Sequence, residues 1–380
     1  MWASIKGFLQ RHRRKLLIGG VAIVGVYAAA RYAKWRVTEW KQQQEREYLE
    51  RARKQHHFES NQRTCSITLY SLIPSLRDSL LEKLNSEEIT SKLREKPDNK
   101  LELWEELKVS SFARTISAVY SSCLLFVFLR VQLNIIGGYM YLDSLVCTDE
   151  QGSNGRKMRV AEEIQKKYLA LVKYLMSEGL DDMIVAVKKA TEAILDEVSL
   201  KENFTPSELQ RLINHIRQTF EFSQHTYHST KLRNGERSFA SSRPFCHFMV
   251  PRDFQGLYNM EDEDDTKFVN LVEETLDVLE SEDCNAVLQS CLDVAFNHVI
   301  NNVAAFFEPD SYSAELGAVS GSPLEVSVSL PLAKIIPIMN GQIHHMFSDA
   351  DSSYIQDLFK VRCSGDFAAN IYEAFSTEVD

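Results

Sequence analysis

The sequence predicts an all-α protein in which an N-terminal transmembrane helix precedes one large helical bundle. Three observations support this class. Apolar residues recur with helical spacing in nearly every patterned segment, whereas strand signals are few. The stretch 100–142 becomes apolar around its whole circumference after Cys123, which is typical of a helix at the centre of a large domain or inside a membrane. A shorter uncharged run, 16–30, lies between clusters of basic residues near the N-terminus.

The composition is that of a folded protein with an uneven charge distribution. Hydrophobic residues make up 44% of the 380 residues and charged residues 25%. Residues 1–60 contain thirteen Lys and Arg against five Glu, a net charge of +8, whereas the rest of the chain carries −18 of the total of −10. A basic N-terminal part suits anionic lipid. The acidic remainder argues against a nucleic acid partner.

The uncharged run predicts an uncleaved membrane anchor at 16–33, preceded by a short basic segment at 1–15. Fifteen helical residues span only about 22 Å, less than the roughly 30 Å hydrocarbon core. Ala33 extends the span, and Lys15 and Arg31 can snorkel toward the headgroups. A cleavable secretory signal is the competing interpretation, but no small-residue cleavage site before polar sequence is evident.

Residues 34–56 are highly charged and lack Gly and Pro, which predicts a polar helical connector. A domain at 57–380 follows, and its acidic character favours the cytosol. Within it, the pattern predicts helices at 67–84 and 87–96, a corner at 97–99, and then the central helix.

Three features mark the course of the chain beyond this corner. Gly137 and Gly138 are expected to end or bend the central helix. Thr205, Pro206, Ser207 and Glu208 form a capping box with Pro at the first helical position. Polar and Gly- or Pro-containing stretches predict loops around 144–159, 225–267 and 309–329.

Polar residues place the central helix in a soluble core rather than a bilayer. An Arg at mid-bilayer costs roughly 2.5–3.5 kcal/mol on insertion scales, and two amides add to that cost. Arg130, Gln132 and Asn134 all fall in this helix. Arg130 is expected to be hydrogen-bonded inside the domain or to emerge at its edge.

The sequence predicts neither a metal, nor a cofactor, nor an enzyme. The seven cysteines are odd in number and form no CxxC pair, which favours free thiols in a reducing compartment. Phosphate-binding glycine loops, HExxH and GxSxG are all missing from the sequence. A catalytic group assembled from distant residues stays open, but a tethered binding protein is the better class.

Five segments resemble the peroxisomal biogenesis factor 3 family along essentially the whole chain. They are 57–65 (HFESNQRTC), 99–104 (NKLELW), 130–139 (RVQLNIIGGY), 329–344 and 366–377. The resemblance implies an anchor in the peroxisomal membrane and a cytosolic helical bundle. It also implies a partner, the cytosolic import receptor for peroxisomal membrane proteins. One N-terminal helix of that receptor lies in an apolar groove of the bundle.

The groove is expected around Trp104, which matches the central Trp of the family site. Leu93, Lys100, Leu101 and Leu107 complete the candidate set. The residues alone leave core packing open for Trp104, whereas the resemblance favours partner binding. Two alternatives remain, a scaffold tethered to another organelle and a tethered enzyme without a recognisable motif. Transit through the endoplasmic reticulum is one route by which such an anchor reaches peroxisomes.

Overall fold

A computed structural model describes residues 2–149, 160–233, 245–251, 254, 262–307, 329–348 and 352–377. These residues are almost entirely helical, which confirms the predicted all-α class. The helices are α1 Trp2–Lys83, α2 Ser86–Arg94, α3 Lys100–Asp149, α4 Glu162–Leu169, α5 Val172–Met176, α6 Glu178–Leu195, α7 Pro206–Arg233, α8 Cys246–Met249, α9 Glu263–Glu280, α10 Glu282–Ala304, α11 Leu332–Met346, α12 Ser353–Phe359 and α13 Arg362–Phe375. A 3₁₀ turn, Ala305–Phe307, follows α10.

The chain divides into two compact units, residues 1–59 and 60–380. In the first unit, Trp35, Trp40 and Tyr48 are exposed on α1. The anchor predicted at 16–33 falls on α1 and is therefore helical, but the side chains of 16–26 lie outside the described residues. Its insertion in a membrane stays a prediction.

The second unit is built around α3. This helix packs against α2, α6, α10, α11 and α13, and side chains such as Val119, Cys123 and Phe126 are at most 1% exposed. By length and composition, Lys100–Leu145 could cross a membrane, yet its most apolar window is 100% buried inside the protein. The predicted core helix is confirmed, because neighbouring helices cover every side of it.

The polar residues of α3 find partners inside this core. Arg130 Nη1 donates to Gln62 Oε1 at 3.0 Å, and the Asn134 side-chain oxygen accepts from Gln62 Nε2 at 2.7 Å. Gln132 Nε2 donates to the Tyr168 carbonyl at 2.9 Å. These bonds satisfy most of the buried polar atoms of the three side chains, whereas Arg130 Nε and Gln132 Oε1 have no hydrogen-bond partner among the described residues. Burial nevertheless lowers the pKa of Arg130.

Gly137 and Gly138 do not end the described helix, because α3 continues to Asp149. The expectation of a helix end there was wrong. The two glycines instead permit close packing: a Cβ on Gly137 would lie 2.7 Å from Asn61 Nδ2, and one on Gly138 would lie 2.7 Å from the Phe375 backbone carbon. Helices α1 and α13 therefore approach α3 at positions that tolerate no side chain.

The predicted capping box of α7 is present. Thr205 Oγ1 accepts from the Glu208 backbone N–H at 3.3 Å, and the Glu208 carboxylate accepts from the Thr205 N–H at 2.9 Å. Just before it, a two-residue strand β1, Asn203–Phe204, pairs antiparallel with β2, Leu330–Pro331. This pairing fixes the start of α11 beside that of α7.

The predicted loops fall largely on residues outside the described ranges. Where the structure describes them, they are shorter than expected, because 144–149 continue α3, 225–233 continue α7 and 263–267 begin α9. The helices thus extend into polar sequence beyond the apolar pattern. That pattern marks only the residues that are buried against other helices, so it does not show where a helix ends.

Candidate functional site

The candidate residues lie where α2 ends and α3 begins. Leu93 belongs to the last turn of α2 and Trp104 to the second turn of α3. Both side chains are half-buried and pack against the main hydrophobic core. Since α2 packs against α3, both residues contribute apolar surface that is partly open to solvent near the corner.

The other candidates differ strongly in exposure. Leu107 is 6% exposed and belongs to the core, whereas Leu101 is 70% exposed. Lys100, the first residue of α3, is also exposed. Leu103, which the sequence analysis did not select, is buried at 8% exposure one residue before Trp104. In the first turns of α3, exposed Leu101 is thus followed by buried Leu103 and half-buried Trp104.

The corner between the two helices follows from its local sequence. Asn85 caps α2, its side-chain oxygen accepting from the Glu88 N–H at 3.1 Å. At the other end Lys96 adopts a left-handed backbone with φ 53°, a conformation that commonly ends helices. Pro97 follows, and the Asn99 carbonyl accepts from the Leu103 N–H at 3.2 Å to start α3.

Two buried cations on α3 hold the elements around this corner. Arg114 is fully buried and bonds to the Leu84 carbonyl before α2 and to the Glu87 carboxylate within it. Lys108 is 1% exposed and donates to the Leu195 carbonyl, at the end of α6, at 2.9 Å. Each cation satisfies carbonyls that a helix end leaves open, where the helix dipole also favours positive charge.

The charges around the corner are mixed in sign. The exposed charged residues there are Arg94, Glu95, Lys96, Asp98 and Lys100. Farther along α3, Glu105 pairs with buried Lys108. A partner at this corner would meet partly exposed apolar side chains among charges of both signs.

Sequence reasoning missed an open pocket beside this corner. Its volume is about 560 Å³, and it is lined by Glu105, Glu106, Lys108, Val109, Lys188, Glu192, Asp196, Glu197, Val198 and Ser199. The pocket joins α3 to the end of α6. Nothing in the spacing of either segment indicates that they meet, because the contact is made across about ninety residues of chain.

A second pocket of about 650 Å³ lies between α6 and α7, where Phe248 of α8 and Ala190 are among the lining residues. Among the described residues, no group of three or more His, Cys, Asp or Glu side chains is placed to hold a metal ion. Among the described cysteines no disulfide is formed, and burial raises the pKa of Cys65 to about 12. The site is thus a packing surface rather than a cluster of reactive groups.

Comparison with known proteins places the whole chain in one family. A family model described as Peroxin-3 matches residues 7–101 and 95–374. The chain is 41% identical to peroxisomal biogenesis factor 3 of Rattus norvegicus over 99% of the chain and 98% of the rat protein, and 42% identical to that of Bos taurus over the same shares. It is 25% identical to peroxisome biogenesis protein 3-1 of Arabidopsis thaliana over 76% of the chain and 80% of the plant protein. The chain therefore belongs to the Peroxin-3 family.

Proposed function

We propose that this chain is a docking receptor at the peroxisomal membrane that binds the cytosolic import receptor for peroxisomal membrane proteins. As a member of its family, the chain is a peroxisome biogenesis protein of the peroxisomal membrane. The docking step, in which the import receptor arrives with its cargo, is the part that we propose. The helical bundle supplies the binding surface, and the helix at 16–33 supplies the anchor.

The observation that carries the proposal is the position of Trp104 beside Leu101. A helix-in-groove site needs apolar anchors at helical spacing and a few charges that set the orientation of the bound helix. Half-buried Trp104 is held by the core below it, and Leu101 and Lys100 are exposed on the preceding turn. Trp is also strongly enriched among residues that dominate binding energy. Leu93 from α2 supplies the facing wall.

The proposal includes the orientation of the chain. The bundle faces the cytosol, because the receptor that it binds arrives from there. Residues 1–15 carry a basic cluster that is attracted to anionic lipid headgroups. Transit through the endoplasmic reticulum is compatible with an uncleaved anchor of this kind.

A non-enzymatic function is part of the same proposal. The groups with catalytic potential that the described residues bring together have structural partners. Ser122 Oγ is fully buried and bonds to the Tyr354 hydroxyl at 2.7 Å, while His298 bonds to Asp357 at 3.0 Å. Burial of the hydroxyl keeps a substrate from reaching it. Docking, in contrast, uses residues that solvent can reach.

Replacing Trp104 with Ala tests the proposal. Since the side chain is only half-buried, its loss should destabilise the fold by about 1–2 kcal/mol, less than the roughly 3–5 kcal/mol of a fully buried Trp. Loss of a groove anchor should weaken receptor binding by about 2 kcal/mol or more, roughly thirtyfold. Thermal unfolding and titration with a labelled peptide of the receptor's N-terminal helix should be measured on one preparation.

Phe222→Ala is a suitable control, because it removes an aromatic side chain that is 72% exposed on α7. Its affinity for the peptide should equal that of the wild type. Unchanged affinity of the Trp104→Ala protein, with a large loss of stability, would assign Trp104 to the core and refute the docking site.

A further inference from the structure

We infer that Arg114 and Glu87 are positioning residues for receptor docking, because they fix the direction of α2 and so the place of Leu93 relative to Trp104. The inference rests on the proposed docking function. It adds to that function two residues that need not touch the receptor.

Arg114 spans the turn from which α2 starts. Its Nε donates to the Leu84 carbonyl at 2.9 Å, and its Nη2 also donates to this oxygen. Nη1 and Nη2 donate to the two carboxylate oxygens of Glu87 at 2.8 and 2.6 Å. A guanidinium is planar and rigid, so these bonds fix one residue just before α2 and the second residue of α2 with respect to α3.

Two further contacts hold the first half of α2. Ser86 is fully buried and its hydroxyl donates to Asn340 Oδ1 at 2.6 Å. Ile89 is 8% exposed. In the second half, Leu93 packs against the core but is only half-buried, and Lys92 and Arg94 are exposed. The polar contacts that orient α2 are therefore at its start, and its last turn carries the groove wall.

This arrangement makes Leu93 sensitive to the angle of α2. Leu93 lies six positions after Glu87, a distance of about 9 Å along a helix. A tilt of about 10° at the start of α2 would move Leu93 by about 1.5 Å at that distance. Gaps of about 0.5–1 Å already remove a quarter to a half of a van der Waals contact. A bound helix would then contact Trp104 but lose the facing wall.

Glu87 allows the inference to be tested without opening a cavity. Arg114 is fully buried, so its replacement would leave a void and open carbonyls. The Glu87 side chain is 56% exposed. Hydrogen bonds from Arg114 hold the pKa of the Glu87 carboxyl below its usual range, so the pair is ionic at neutral pH. Glu87→Gln removes the ionic partner and keeps the shape.

Asp293→Asn is the matched control. Asp293 is 62% exposed and accepts from Nη1 of the largely buried Arg217 at 2.6 Å. Arg217 lies on α7 and Asp293 on α10, so this pair links elements other than α2. Both substitutions remove one negative charge from an exposed carboxylate that pairs with a largely buried guanidinium, although Arg217 keeps Glu221 as a second ionic partner. A general effect of the lost charge on peptide binding should be equal in the two proteins.

The experiment uses the full chain in detergent micelles and a labelled peptide of the import receptor's N-terminal helix. Glu87→Gln and Asp293→Asn should each lower the melting temperature only slightly, because both carboxylates are more than half exposed. We expect Glu87→Gln to weaken peptide binding about fivefold and Asp293→Asn by less than about twofold. In a Leu93→Ala background, Glu87→Gln should cost less than about twofold, because coupled residues are not additive.

The fluorescence emission of Trp104 provides a second measurement. It would not change if Glu87 contributed only to overall stability. The chain has four tryptophans, so replacing Trp2, Trp35 and Trp40 with Phe leaves Trp104 alone. Its emission should shift to longer wavelength in the Glu87→Gln protein, where α2 covers it less well. The shift should be missing in the Asp293→Asn protein.

Two results would overturn the inference. One is equal affinity of the Glu87→Gln and Asp293→Asn proteins, and the other is an undiminished effect of Glu87→Gln when Leu93 is already Ala. Failure of the docking proposal itself would be recognised separately, because Trp104→Ala would then bind the peptide as tightly as the wild type.

Discussion

Leu101 and Leu107 lie six residues apart on α3 in opposite environments. Leu101 is 70% exposed and Leu107 is 6% exposed. The sequence pattern groups them in one stripe with Trp104, because all three follow helical spacing. Only the position of neighbouring helices separates the two leucines. The candidate site is therefore an exposed edge of the core. Leu107 supports this edge from inside the core, and the exposed side chain of Leu101 can contact a partner.

Alanine substitutions at the two leucines should give opposite results. Leu107→Ala should cost about 2–5 kcal/mol of unfolding free energy, because it opens a cavity in the core. Leu101→Ala should change that free energy by less than about 0.5 kcal/mol and should weaken receptor binding. Urea unfolding followed by circular dichroism, together with peptide titration, measures both. A destabilised Leu101→Ala protein with normal affinity would contradict the assignment.

At the scale of elements, α3 organises the second unit through its packing and its glycines. It carries residues from two of the segments on which the family resemblance rests, 99–104 and 130–139. Gly138 meets the backbone of Phe375, from a third such segment, at a separation that leaves no room for a Cβ. Asn61, from a fourth segment, contacts Asn134 and the Leu133 carbonyl. The chain's most recognisable segments thus meet at the contacts between α1, α3 and α13.

Gly138→Ala should destabilise the protein by about 1–3 kcal/mol, because the added methyl group must displace backbone atoms of α13. Gly341→Ala is the control in α11, where an added Cβ meets nothing within 4 Å. That substitution should stabilise the protein by about 0.5–1 kcal/mol, since Ala loses less conformational entropy than Gly in a helix. Melting temperatures of the two variants test the contrast. Equal shifts in melting temperature would show that the close approach of Gly138 to Phe375 does not affect stability.

At the scale of the whole molecule, the charge distribution distinguishes a basic part that contains the proposed anchor from an acidic bundle. Residues 1–60 carry +8 and the remainder −18. The most apolar window of the long helix in the second unit is completely buried, so this window is not available to lipid. The anchor proposed at 16–33 is therefore the segment expected to hold the protein in the membrane.

Carbonate extraction tests this assignment directly. The full chain should stay in the membrane pellet, and a form lacking residues 1–36 should be released, because it loses the apolar run. A reporter fused to residues 1–45 should reach peroxisomes. Recovery of the full chain in the supernatant would refute the anchor, and a reporter on mitochondria would favour a scaffold on that organelle.

The sequence by itself determined the fold class, the central helix and the family. Helical periodicity is a local property of the sequence. The helix at 100–142 and the capping box at Thr205 could therefore be predicted without knowing which helices pack against them. Arg130, Gln132 and Asn134 correctly indicated a helix buried among other helices, since polar groups need buried partners. The identity of those partners, such as Gln62 and Tyr168, was not readable.

Only the tertiary structure decided which residues of a helical stripe are exposed and which contacts fix them. Exposure depends on helices far away in sequence, as for Leu101 and Leu107, whose spacing is equally regular. The same reason explains the errors at Gly137 and Gly138, where glycine serves close packing with α1 and α13 rather than a helix end. It also explains why Arg114 and Glu87 escaped notice. Their role depends on two helix ends meeting in space, and no local pattern records such a meeting.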